Sequence, residues 1–211
     1  FEIMMPHNQF KLLIQVKPRA VDKENTALPQ LEHLEILERN STRDLDKYLG
    51  YYFEYYMSMA HPGKLLRTLV CFEKRGQKFY YQRTERIVET PHKKAYHCVY
   101  LGMANFLVDR IFMVDYETLT GNEMTQTILY PTYKNRINRL AGLCLGVSAS
   151  DRREPACVRV IYEYLGQRVD IRKALRMCGL FPADTDTVDA GVKERIDAKG
   201  KLIEEIDLEE L

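Results

Sequence analysis

No stretch of this sequence is both long and apolar enough to cross a bilayer as a helix. The nearest candidate, Val99 to Val114, carries Asn105, Asp109 and Arg110 and falls short of the roughly 20 apolar residues a membrane-spanning helix needs. It reads as a buried helix. No secretory leader is expected either. Phe1 stands first and no basic stretch precedes an apolar one, so the chain reads as an excised or processed piece without a signal peptide. Cysteine spacing is equally uninformative for covalent or metal staples. Cys71, Cys98, Cys144, Cys157 and Cys178 are odd in number, widely separated and form no CxxC pair, which argues against a disulfide framework and a zinc knuckle. Each sits among aliphatic or aromatic neighbours, where a free cysteine is a small core hydrophobe. The expected setting is a reducing one, intracellular, cytoplasmic or nuclear, with no membrane.

Catalytic signatures are also absent. The sequence holds no glycine-rich dinucleotide fingerprint, no HExxH and no GxSxG, and Gly63-Lys64 has Ser58 where a phosphate-binding loop would place its first glycine. His92 and His97 are five apart, which on a helix puts them on different faces and makes a shared metal a poor reading. No cofactor and no resident metal are expected. The best carboxylate cluster is Asp109, Asp115, Glu117 and Glu123, a set that with a lysine suits Mg²⁺ and phosphoryl chemistry. Acids flanking a helix end are more often solvated, so a metal-dependent phosphoryl-transfer enzyme or nuclease ranks last among the readings.

What is present points to an α+β protein. Gln9 to Val16 is short, apolar and stopped by Pro18, as a strand would be. Leu31 to Glu38 fits a strand or a helix. Ser41 and Asp44 have capping-box spacing, and Leu45, Tyr48, Leu49, Tyr52, Phe53, Tyr56 and Met59 recur at three- and four-residue steps, predicting a helix ended by His61-Pro62-Gly63. Tyr51 and Tyr55 then lie one turn apart on its other side. Residues 64 to 90 read as a β-hairpin turning at Arg75-Gly76, pairing Lys74 with Gln77, Glu73 with Lys78, Phe72 with Phe79 and Val70 with Tyr81. Beyond Pro91 the pattern predicts helices: His92 to about Val114, a stripe from Tyr133 to Val147, another over Cys157 to Leu165 closed by Gly166, and one capped by Asp170 running to Cys178. Residues 1–182 are thus expected to form one α+β domain, β-rich over 1–90 and helical over 91–182. Its N-terminal strand, helix and hairpin would pack on the helical half. Residues 183–211 form an acidic linker and a short helical tail.

Charge is unevenly spread. Residues 183–211 hold ten acids and four bases, so the chain's formal net charge of +1 divides into +7 for the body and −6 for the tail. The segments 64–94 and 134–176 each carry a net +6. These patterns support a non-catalytic protein-interaction or scaffold module, a subunit of an intracellular complex with another protein chain as hetero- or homo-oligomeric partner. Its contacts would be Tyr51, Tyr55 and a tail helix presenting Ile196, Ile203 and Ile206 with Glu204 and Glu205. The alternative is RNA or DNA binding by the basic hairpin 64–94, where Lys74, Arg75, Lys78 and Arg83 would hold phosphates while Tyr80 stacks a base.

Overall fold

The computed structural model describes residues 29–41, 43–88, 95–132, 136–148 and 153–196. The expected strand at Gln9–Val16, His92 and the tail residues Ile203, Glu204, Glu205 and Ile206 lie outside them. The chain divides into two compact units, Phe1–Ile36 and Leu37–Leu211. A helix, α1 (Pro29–Asn40), takes in the ambiguous Leu31–Glu38 stretch.

The larger unit is a closed antiparallel β-barrel, which overturns the α+β expectation and its mainly helical C-terminal half. After a 3₁₀ turn (Arg43–Tyr48) come β1 (Gly50–Met57), β2 (Lys64–Arg75), β3 (Lys78–Ile87), β4 (Tyr96–Leu107), β5 (Arg110–Glu117), β6 (Met124–Leu129), β7 (Arg139–Val147) and β8 (Pro155–Gly166). Each pairs with its sequence neighbour, and β1 pairs with both β2 and β8 to close the ring. The helix expected over 41–59 is therefore the 3₁₀ turn followed by β1. Tyr52, Glu54 and Tyr56 point inward, and Tyr51, Phe53 and Tyr55 point outward. Helical spacing was mimicked because both faces of β1 are apolar, which removes the contrast that marks a strand.

The same holds further on. Val99–Val114 is a hairpin of β4 and β5 turning at Val108-Asp109, and Cys157–Leu165 lies within the twelve-residue strand β8. The hairpin of β2 and β3 forms as expected, but its turn is Gly76-Gln77, with Arg75 opposite Lys78 and Phe72 opposite Tyr81. Pairing is displaced by two residues, which leaves each side chain on its expected face. Gly76 adopts a φ of +65°, the conformation a tight hairpin turn asks of its first residue.

One end of the barrel is plugged. Leu45 and Tyr48 of the 3₁₀ turn are buried with the interior residues. The Tyr48 hydroxyl accepts from Thr132 N at 3.1 Å, Ser41 Oγ accepts from Phe106 N at 3.0 Å, and Lys74 pairs with Asp46 at 2.7 Å. Above this plug the lower interior is aromatic: the Tyr52 ring meets Phe72 at 5.5 Å and Tyr164 at 5.0 Å. Gly102 leaves room here for the Tyr81 ring, because a Cβ at that position would stand 2.5 Å from Tyr81 Cε1.

The outer face of β1, β2, β7 and β8 is covered by the C-terminal helices α2 (Ile171–Met177) and α3 (Ala190–Ile196), and between them β9 (Gly179–Pro182) pairs antiparallel with Lys64–Arg67 of β2. Asp170 caps α2 as expected, accepting from Lys173 N. The stretch expected to be a linker is fastened down. Val188, Val192 and Ile196 are buried, and Asp189 pairs with Arg139 at 3.2 Å. Arg67, pointing outward from β2, donates to Met177 O and Thr187 O and lies 4.7 Å from the Phe181 ring, tying this cover to the wall.

Candidate functional site

Arg83 is the centre of the barrel's polar layer. It stands on β3 between Tyr81 and Glu85, and inward alternation carries it into the barrel, where it is 3% exposed. It makes five hydrogen bonds: Nε and Nη2 to the two oxygens of Asp115 (3.2 and 3.3 Å), Nη2 also to Thr125 Oγ1, and Nη1 to Glu85 Oε1 and the Tyr56 hydroxyl. Its Cζ lies 3.8 Å from the centre of the Tyr100 ring. Burial opposes its charge, but the surrounding carboxylates prevail and hold the guanidinium protonated well above its ordinary pKa.

Around it sit three buried acids. Glu54 is fully buried and accepts from Thr68 Oγ1 and the Tyr162 hydroxyl, each at 2.9 Å. Glu85 accepts from the Tyr56 hydroxyl at 2.6 Å. Burial pushes the Glu54 and Glu85 carboxyls above the usual carboxylate range, with Arg83 pulling the other way. Below this layer the Tyr81 hydroxyl is buried near Asp115, with no partner in hydrogen-bond geometry among the described residues.

Among the described residues nothing closes the end opposite the plug. A cavity of about 450 Å³ descends from the loops after β1, β5 and β7 onto this polar layer. Its floor is Arg83, Glu85 and Thr125. Its wall includes Tyr56, Tyr100, Met59 and Ile87, and its rim carries Glu123 and Arg153. The Tyr100 hydroxyl donates to Glu123 Oε2 at 3.2 Å, and Arg153 donates to Asn122 O at 2.7 Å. Glu117, close by, accepts from the backbone and hydroxyl of Thr120, and those bonds hold its carboxyl below the usual range.

The residues singled out from sequence are dispersed. Tyr55 is buried under the C-terminal cover and donates to Glu163 at 2.8 Å, Tyr51 lies half-buried on the same outer face, and Ile196 packs into that cover. At the hairpin tip Lys74 pairs with Asp46, Arg75 with Glu73 and Lys78 with Glu38. Tyr80 stays on the outer face with Arg75 stacked at 5.6 Å, while Arg83 is inside and out of reach of any phosphate backbone. The proposed metal cluster is split: Asp109 sits at the β4–β5 turn on the plugged end, Asp115 is spent on Arg83 and Thr125, Glu117 caps a turn, and only Glu123 reaches the cavity. No group of three metal-ligating side chains occurs among the described residues. Cys144 and Cys178 are buried, with thiols pushed up to about 11 by burial, as packing residues would be.

Sequence reading missed Glu54, Tyr56, Glu85 and Tyr100 as site residues. The signal was available in Gln82-Arg83-Thr84-Glu85 and Tyr52-Phe53-Glu54-Tyr55-Tyr56, where charged residues share the inward parity of large apolar neighbours. Fold and site define a class: a small antiparallel barrel, plugged at one end, with a charged interior that the described residues leave uncovered at the other. Comparison of the chain with protein-family models, curated proteins and solved structures gave no match, so the class is as far as likeness goes. No helix among the described residues is long and apolar enough to cross a membrane.

Proposed function

We propose that this protein is a non-catalytic binding barrel that holds a small polar organic molecule in its open mouth. The observation that carries this is the cavity of about 450 Å³ seated on buried charged groups. Small barrels normally fill their interior with side chains, and a concave space with apolar walls and a few convergent polar groups is the usual form of a ligand site. Native mass spectrometry of the protein purified gently from its cells tests it. A bound small molecule is expected, and Ala60→Trp, at the exposed cavity wall, removes it while leaving the melting temperature in place. A molecule that survives Ala60→Trp, or none after incubation with a broad metabolite extract, overturns the reading.

A second observation favours a protein-interaction role. On the outer face of β4 to β6, Leu101, Met103, Val114, Tyr116 and Met124 are exposed around a groove of about 540 Å³, on wall that the C-terminal segment does not cover. Contiguous exposed apolar surface of this kind marks contact sites. Under this reading the partner chain meets the bare barrel wall rather than Tyr51 and Tyr55. Leu101→Lys with Val114→Lys then abolishes cross-linking to the partner without changing stability, and unchanged cross-linking refutes it.

A further inference from the structure

The mouth cavity discriminates by charge. Arg83 is already engaged within the protein through Nε, Nη1 and Nη2 alike, on Asp115, Glu85, Tyr56 and Thr125. Arg153, the other cation of the lining, stands at the exposed rim with its guanidinium on Asn122 O. The acceptors are in a different condition. Glu85 lines the cavity with its side chain 8% exposed, and only Oε1 receives hydrogen bonds from described residues. Its Oε2 is left for whatever enters. Glu123 faces the same space and receives a single hydrogen bond, from Tyr100. The Tyr56 and Tyr100 rings complete the wall. Four acids (Glu54, Glu85, Asp115, Glu123) thus stand against two bases (Arg83, Arg153) in and directly beneath the cavity.

We infer that the mouth is a site for a compact organic cation, an ammonium or amidinium group on a small hydrophobic body, whose N–H donors reach Glu85 and Glu123 while its body lies against Tyr56, Tyr100 and Met59. This rests on the binding-barrel reading and names its ligand class. An anion would meet the Glu85 and Glu123 carboxylates, and a neutral polar molecule would form no ionic hydrogen bond with them. A desolvated cation gains both the ionic hydrogen bond and the attraction of the aromatic faces. Burial raises the Glu85 carboxyl above its ordinary range, so within that titration a bound cation releases a proton and affinity rises with pH.

The test uses three probes of one shape on the intact protein: benzylammonium, benzyl alcohol and benzoate. Binding is followed by the methyl resonances of Met59 and Ile87. Benzylammonium is expected to saturate at the lowest concentration, with heats that vary with buffer ionisation as the proton is released. Glu85→Gln weakens it roughly tenfold to a hundredfold, the value of a charged hydrogen bond. Since Glu85 also supports Arg83, Glu123→Gln serves as the second variant and weakens benzylammonium several-fold with the fold intact. Equal or tighter binding of benzyl alcohol or benzoate overturns the charge preference while leaving the barrel a ligand binder. If no probe perturbs either methyl, the binding-barrel reading fails with it.

Discussion

Replacing Arg83 by Met keeps the length and bulk of the side chain but removes every partner from the polar layer. Asp115 loses both of its charged hydrogen bonds and Glu85 loses its ion pair, while Glu54 loses the nearby positive charge that lowers its pKa. Taking one partner from a buried pair costs about 3–5 kcal/mol because the other is left charged in a poor solvent. The lost contact with the Tyr100 ring adds about 0.5–2 kcal/mol. Against a typical domain stability of about 5–15 kcal/mol this leaves a folded but weakened protein. Urea unfolding followed by circular dichroism should show the midpoint falling by about 2 M at a slope of about 2 kcal/mol per molar. The loss should also depend on pH in a definite direction. Glu54 and Glu85 already have folded pKa values above their unfolded ones, and removing Arg83 raises them further. Such groups stabilise fully below the unfolded pKa and lose that contribution as pH rises through the folded value. The deficit of the variant is therefore larger at pH 8 than at pH 5. A loss under about 1 kcal/mol, or a deficit that grows towards acid, refutes the view that Arg83 neutralises the barrel interior.

Gly102→Ala should cost about 1–3 kcal/mol, since its Cβ would fall 2.4 Å from Val114 O and the Tyr81 ring cannot easily retreat; unchanged thermal unfolding sinks this packing argument. Gly76→Val meets open space but inherits a φ of +65°, so a loss of about 1–2 kcal/mol from strain alone is expected in the same assay, and a neutral result refutes the turn assignment. Glu54→Gln removes one of the two acids with raised pKa, so the difference in stability between wild type and variant should change in the variant's favour as pH rises from 5 to 8; a difference independent of pH refutes it. Deleting residues 183–211 uncovers the outer wall of β1 and β8 and takes away buried Val188, Val192 and Ile196, costing at least about 2 kcal/mol; a truncated protein with the same melting temperature shows that this cover is ornamental.

The β2–β3 hairpin and the Asp170-capped helix were legible because a single local device specifies each: a glycine at a tight turn, an aspartate ahead of an apolar turn. The remaining strands were not. Cys157-Val158-Arg159-Val160-Ile161-Tyr162 matches helical spacing only because Ile161 is buried under the C-terminal cover as deeply as Val160 and Tyr162 are inside. A strand buried on both sides offers no period to read, and its β-branched and aromatic content was the better guide. The site was hidden for a related reason. Arg83 looks like the end of a basic surface run, and only the barrel's inward parity distinguishes it from Lys78, which stays outside beside Glu38. Charge runs record composition, whereas burial depends on a closure that no local stretch encodes.

That closure has a kinetic side. Seven of the eight contacts between neighbouring strands of the barrel join elements adjacent in sequence, and each can form by closing a short loop. The eighth, where Tyr52 meets Tyr164 across the β1–β8 seam, must gather the whole length of the barrel before it yields anything. Folding should therefore run quickly to an open, curled sheet and wait at the seam. The last helix of the cover, α3, packs on both β8 and β1 outside this join, so it acts as a latch whose seat is complete only after the ring has shut.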